Sequence, residues 1–89
     1  MFTSWGVETV RLFGEDELSA MLAKLDDGEY GMVLRAKGYV ASNDSDRWIH
    51  FDYVPGESDI REGGAMVTGR VCVIGSKLNE SAIASLFGA

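Results

Sequence analysis

A chain of 89 residues is long enough for one domain and too short for two. Its net charge of −6, from 14 acidic against 8 basic residues, lacks the basic footprint that nucleic acids and anionic membranes require, and excludes both as partners. The composition, 46% apolar and 25% charged, is that of a folded domain and excludes a disordered tail.

The segment Trp5–Phe13 is rich in β-favouring residues and predicts a strand that Gly14 ends. It begins almost at Met1, as it would in a domain excised from a longer chain. A helix follows over Glu15–Asp27, with Leu18, Met21, Leu22 and Leu25 on one stripe and three acids in the first turn. Gly14 suits its N-cap, Phe13 and Leu18 the staple positions, and Gly28 its stop. A long strand covers Met32–Ser42, the polar run Ser42–Arg47 makes a loop, and Trp48–Val54 is a second strand that Pro55-Gly56 breaks. Glu57–Glu62 reads as an extended edge segment, Gly63-Gly64 as a turn, and Met66–Ile74 as the last strand. Asn79 caps a closing helix over Glu80–Leu86. The order β-α-β-β-β-α predicts a single α+β domain over residues 1–89. Its two layers are a mainly antiparallel sheet of four to five strands and two helices on one face.

If Ser42–Arg47 closes a hairpin, Ala41 lies opposite Trp48, Tyr39 opposite His50, Lys37 opposite Asp52 and Arg35 opposite Val54. Leu34, Ala36, Val40, Ile49 and Phe51 then face the helices. Arg35, Lys37, Tyr39, Trp48, His50 and Asp52 form the other face, a mixture of aromatics and charges suited to docking another domain or subunit. The plain alternative is a solvated sheet face held by cross-strand pairs.

Two motifs extend the reading. Val33-Leu34-Arg35-Ala36-Lys37-Gly38-Tyr39 resembles the arginine–x–lysine–glycine strand of the CobW C-terminal domain. The similarity continues through Trp48–Glu57 and through Gly69–Gly75 with the short helix after Leu78-Asn79, which is nearly the whole chain in the right order. The resemblance implies an accessory domain of a P-loop GTPase concerned with metal trafficking, including cobalt delivery in cobalamin synthesis and zinc or iron homeostasis. It implies that GTP, Mg and the transition metal are handled by a GTPase domain outside this chain. The implied partners are that GTPase domain or a client metalloprotein.

The chain's own residues offer no catalytic constellation. Gly75-Ser76-Lys77 stands between strand and helix but lacks the leading glycine and the hydroxyl residue of a phosphate-binding loop, so no cofactor is expected here. Cys72 is the lone cysteine, which rules out an internal disulfide, and its apolar strand suggests a buried core thiol. Structural zinc needs about four ligands. His50 with Asp52 is the nearest approach to a surface metal pair, and a histidine stacked near Tyr39 is the preferred reading of His50. Asn43-Asp44-Ser45-Asp46 lacks a calcium loop's glycine and glutamate and suits a hairpin turn. None of Ser42, Ser45, Ser58, Ser76, Ser81 and Ser85, which fall in loops or on the closing helix, sits in a nucleophile elbow. With no apolar run of membrane-span length and no signal segment, the cytoplasm is the default location. The competing readings are a stand-alone metal- or ligand-binding protein and a homo-oligomerisation module that uses the open face or a sheet edge.

Overall fold

Strand Met32–Ser42, eleven residues long, organises the structure, a computed structural model that describes residues 1–88. We number the elements β1 (Thr3–Thr9), β2 (Leu12–Phe13), α1 (Glu15–Lys24), β3 (Met32–Ser42), β4 (Trp48–Val54), β5 (Glu57–Gly63), β6 (Gly69–Ser76) and α2 (Glu80–Phe87). The sheet runs β1-β6-β3-β4-β5, antiparallel throughout, and β2 adds one short parallel pairing to the end of β3. The fold class is thus the expected two-layer α+β arrangement. The sheet has six strands because the first predicted strand is two. It breaks at Val10 and Arg11, where the Arg11 N–H donates to Thr9 Oγ1 (3.1 Å) and leaves the ladder. The segment after Pro55-Gly56 is a full edge strand, β5, which pairs with β4 from Val54↔Glu57 to Trp48↔Gly63.

The predicted β3–β4 register holds over six pairs, Ala36↔Tyr53 to Ala41↔Trp48. Arg35 and Val54 lie beyond that ladder. A bulge between Val33 and Arg35 is the reason Leu34 does not face the core as expected. Val33 takes the core position at 5% exposure, and Leu34 is half-buried. The polar loop is tied locally: Asp44 N–H donates to Ser42 Oγ (3.0 Å) and Arg47 N–H to Ser45 Oγ (2.8 Å).

Both helices lie on the same sheet face. Leu18, Met21 and Leu22 of α1 and Ile83 and Phe87 of α2 share one core with Val33, Ala36, Val40, Ile49, Phe51, Tyr53, Val71 and Val73. Phe13 and Leu18, the staple pair of α1, are both fully buried, and Glu17 accepts the Gly14 N–H through Oε1 (3.3 Å). Arg11 closes over this start, 4.5 Å above the Phe13 ring and paired with Glu17 at 2.7 Å.

The helix stops at Lys24 rather than Asp27 because the next two acids have other partners. Asp27 Oδ1 accepts the Glu29 N–H (3.4 Å) and caps a 3-10 turn, Gly28–Tyr30. Asp26 Oδ1 accepts the Tyr53 hydroxyl (2.5 Å) and the Gly56 N–H (2.9 Å), which fastens the helix end to the β4–β5 turn. The Tyr53 hydroxyl and then the Gly56 amide hold the Asp26 carboxyl below its ordinary pKa, against a smaller opposing effect of burial.

A carboxylate whose folded pKa is depressed contributes stability above its unfolded pKa of about 4 and loses it as pH falls through the folded value. The melting temperature will therefore drop as pH is lowered below about 4. Asp26→Asn will melt lower at neutral pH and show a shallower acid drop. Thermal unfolding followed by circular dichroism across the acid range checks this, and parallel profiles for the two chains would refute the tie.

Candidate functional site

Strand alternation sends every second side chain of the sheet away from the helices. Register then builds the open face in rows. Glu8, Arg70, Tyr39, His50 and Arg61 lie across the five strands in one row, and Gly6, Cys72, Lys37, Asp52 and Asp59 in the next. All six residues expected on this face are therefore brought to it, Arg35 beside Ile74 and Trp48 beside Gly63.

Asp52 is the fixed point of the face. Its Oδ1 meets Arg35 (3.3 Å) and its Oδ2 meets Arg61 (3.2 Å), while Arg61 also grips Asp59 (2.6 Å). Partial burial works against the Asp52 charge, but the two guanidinium hydrogen bonds outweigh it and hold the carboxyl below its usual pKa. Lys37, the cross-strand neighbour of Asp52, takes no part in this network. His50 stacks obliquely on Tyr39, ring centroids 5.7 Å apart, and its Nε2 lies 3.1 Å from the Gly64 carbonyl, to which that nitrogen donates when protonated. The ring lies so close over Gly63 that a Cβ there would sit 2.4 Å from His50 Cδ2, which leaves glycine as the residue that admits the histidine.

His50 Nε2 thus faces a backbone carbonyl and both Asp52 oxygens face guanidinium groups. Among the described residues no three of His, Cys, Asp and Glu converge to hold a metal ion. The Gly75-Ser76-Lys77 turn does not form a phosphate cradle either. Gly75 and Ser76 finish β6, and the left-handed residue of the turn is the exposed Lys77, at φ 53°.

The expectation of a buried core thiol at Cys72 is corrected. Val71 and Val73 are fully buried, so Cys72 between them points to the open face, half-buried and opposite Lys37. An apolar run conceals the period of two, because its inward and outward residues look alike. Sequence reasoning also missed Arg70 and Arg61. The outward turn of Arg70 is legible in β6, but its place beside Tyr39 depends on β6 entering the sheet between β1 and β3, which neighbours in sequence do not reveal.

Two shallow depressions adjoin on this face. One, of about 240 Å³, is lined by Lys37, Tyr39, His50, Asp52, Arg70 and Cys72 among others. The second, of about 470 Å³, lies between β1 (Ser4–Glu8) and Lys37, Arg70 and Cys72, which the two share. No helix of the described residues is long and apolar enough to cross a membrane.

Comparison with known proteins places this geometry in context. The family model described as "Cobalamin synthesis protein cobW C-terminal domain" matches residues 2–89. Two solved structures are similar, Zn(II)-bound YjiA GTPase from E. coli and a Zn(II)-bound triple mutant of YjiA GTPase. Each superposes with a TM-score of 0.81 over 98% of this chain at 20% sequence identity, and the chain spans 29% of the length of each. No curated protein matches the chain.

Proposed function

Because the chain belongs to the family of cobalamin synthesis protein cobW C-terminal domains, we propose that it serves as a non-catalytic accessory domain of a CobW-like GTPase in the cytoplasm. In this reading its open sheet face docks the GTPase domain of the parent protein, or the client metalloprotein that receives cobalt or zinc. GTP, Mg and the transferred metal belong to the GTPase domain. The observation that carries the reading is the composition of the open face. Tyr39, Trp48, His50, Cys72 and Ile74 are only half-buried there, around an Asp52 fixed by two arginines, while the helices bury the central strands of the opposite face. Half-buried aromatics on a rigid sheet are what a docking surface requires.

The test is titration of this chain with the separately produced GTPase domain of the parent protein, followed by calorimetry. Weak association, roughly micromolar, is expected. Loss of both rings in Tyr39→Ala/Trp48→Ala should weaken it by about ten-fold or more, the effect of losing central aromatic anchors. Equal affinity for the wild type and the double variant would overturn the open face as the docking surface.

A further inference from the structure

Lys37 and Arg70 stand apart from the other open-face cations. Arg35 and Arg61 are committed to Asp52 and Asp59, whereas Lys37 and Arg70 are exposed and form no ion pair among the described residues. Register makes them diagonal neighbours on adjacent strands, since Arg70 lies opposite Tyr39 and Lys37 opposite Cys72. Diagonal neighbours are about 7–8 Å apart, and like charges that close repel unless a counter-charge joins them. Glu8 lies across from Arg70 on β1 but forms no ion pair with it. The two depressions together carry three cations, Lys37, Arg61 and Arg70, against two carboxylates, Glu8 and Asp52, in a chain whose net charge is −6. The face is therefore cationic relative to the rest of the molecule, and its two unpaired cations, Lys37 and Arg70, line both depressions.

We infer that this trough binds an extended, acidic segment of a partner polypeptide, with its carboxylates on Lys37 and Arg70 and its apolar side chains against Cys72, Ile74 and Tyr39. A folded nucleic acid is a poor occupant, because the surrounding acids repel a phosphodiester chain. The sheet's five long strands at about 4.8 Å spacing make the face about 20 Å across, the reach of about six extended residues. The inference rests on the docking role proposed above and adds to it the chemistry of the docked segment.

The probe is a synthetic peptide of about eight residues in which glutamate and valine alternate in pairs, so that each side of the extended chain carries both, and whose length crosses the face. Its control is the same peptide with glutamine for glutamate, and both are titrated into the 89-residue chain. Amide NMR shifts should centre on Lys37, Arg70 and Cys72 for the acidic peptide alone, and its affinity should fall as salt is raised. Lys37→Glu/Arg70→Glu should reduce affinity by about ten-fold or more. The milder Lys37→Gln and Arg70→Gln, each checked for an unchanged melting temperature, should show smaller losses in the same direction. Equal binding of the glutamine peptide, unchanged affinity in the variants, competition by inorganic phosphate at equal strength, or tighter binding of a single-stranded oligonucleotide would each overturn the inference. If the parent GTPase domain docks in a Tyr39- and Trp48-dependent way that ignores Lys37 and Arg70, the docking role survives and the acidic segment does not. If the acidic peptide binds and the GTPase domain's affinity ignores both aromatics, the reverse holds.

Discussion

Gly38→Ala will lower the melting temperature by about 10–20 °C, the equivalent of about 3 kcal/mol in a domain of this size and the upper end of overpacking costs. A Cβ at Gly38 would stand 2.0 Å from the Arg70 carbonyl oxygen and 3.0 Å from Phe51 Cζ. The first obstacle is backbone and cannot rotate away. Gly38 pairs with Phe51 on one side and Val71 on the other, so β3 cannot retreat from β6 without driving into β4. Phe51, at 1% exposure, has no room to yield the remaining distance. A chain of this length has only on the order of 5–10 kcal/mol of total stability, so the variant will be partly unfolded near 40 °C. Thermal melts by circular dichroism measure it. Gly28→Ala is the control, since nothing lies within 4 Å of a Cβ there. A fall below about 4 °C, or equal falls for the two variants, would show that the sheet accommodates the methyl group.

The strand Arg35-Ala36-Lys37-Gly38 is legible in the sequence only in part. Its outward Arg35 and Lys37 and inward Ala36 are read from the period of two, and the hairpin with Trp48–Val54 is fixed by the loop and the aromatic pairs. What alternation cannot say is that Arg35 reaches diagonally to Asp52 while Lys37, directly opposite Asp52, stays unpaired. The Arg35–Asp52 pair depends on side-chain reach and on the bulge at Leu34, and both are products of packing. The same holds for helix α1, whose apolar stripe and cap were plain in the sequence. Its end was not, because Asp26 is claimed by Tyr53 and Gly56 from a turn thirty residues away. Half of the open face was hidden for a topological reason. β6 and β1 follow or precede the hairpin with long connections, and only the assembled order β1-β6-β3 lays Arg70 and Cys72 beside Lys37 and Tyr39. The site as read from sequence was therefore a hairpin; the site in the structure is the full width of a sheet.

Phe87→Ala will destabilise the domain by about 3–5 kcal/mol, the range for emptying a fully buried aromatic site. Phe87 is the last residue of α2, has no exposed surface, and stacks on Trp5 of β1 with ring centroids 6.3 Å apart and planes 23° from parallel. With Ile83 it supplies the buried stripe by which α2 grips the sheet, while Leu86 is half-buried. An eight-residue helix has too few turns to hold itself, so its order depends on these two anchors. Removing one leaves a cavity at the C-terminal end of α2, and the last turn frays first. Trp5 reports this directly: its emission should shift to the red in Phe87→Ala, and Trp48, on the open face, serves as the internal reference once Trp5→Phe has separated the two signals. Leu86→Ala, which empties only a half-buried site, should cost about 1 kcal/mol. If both variants melt within about 4 °C of each other, α2 is not anchored through Phe87, and the sheet stands without it. The anchor matters to the opposite face as well. Trp5 and Val7 of β1 pair with Val73 and Val71 of β6, and between those residues the paired Gly6 and Cys72 help line the larger depression. Loosening α2 frees β1 at the edge of the sheet, so Phe87→Ala should also weaken binding of the acidic peptide without any change in charge. Lys37→Gln should weaken it with no change in the melting temperature, and these two signatures separate a trough that has lost its shape from one that has lost its chemistry.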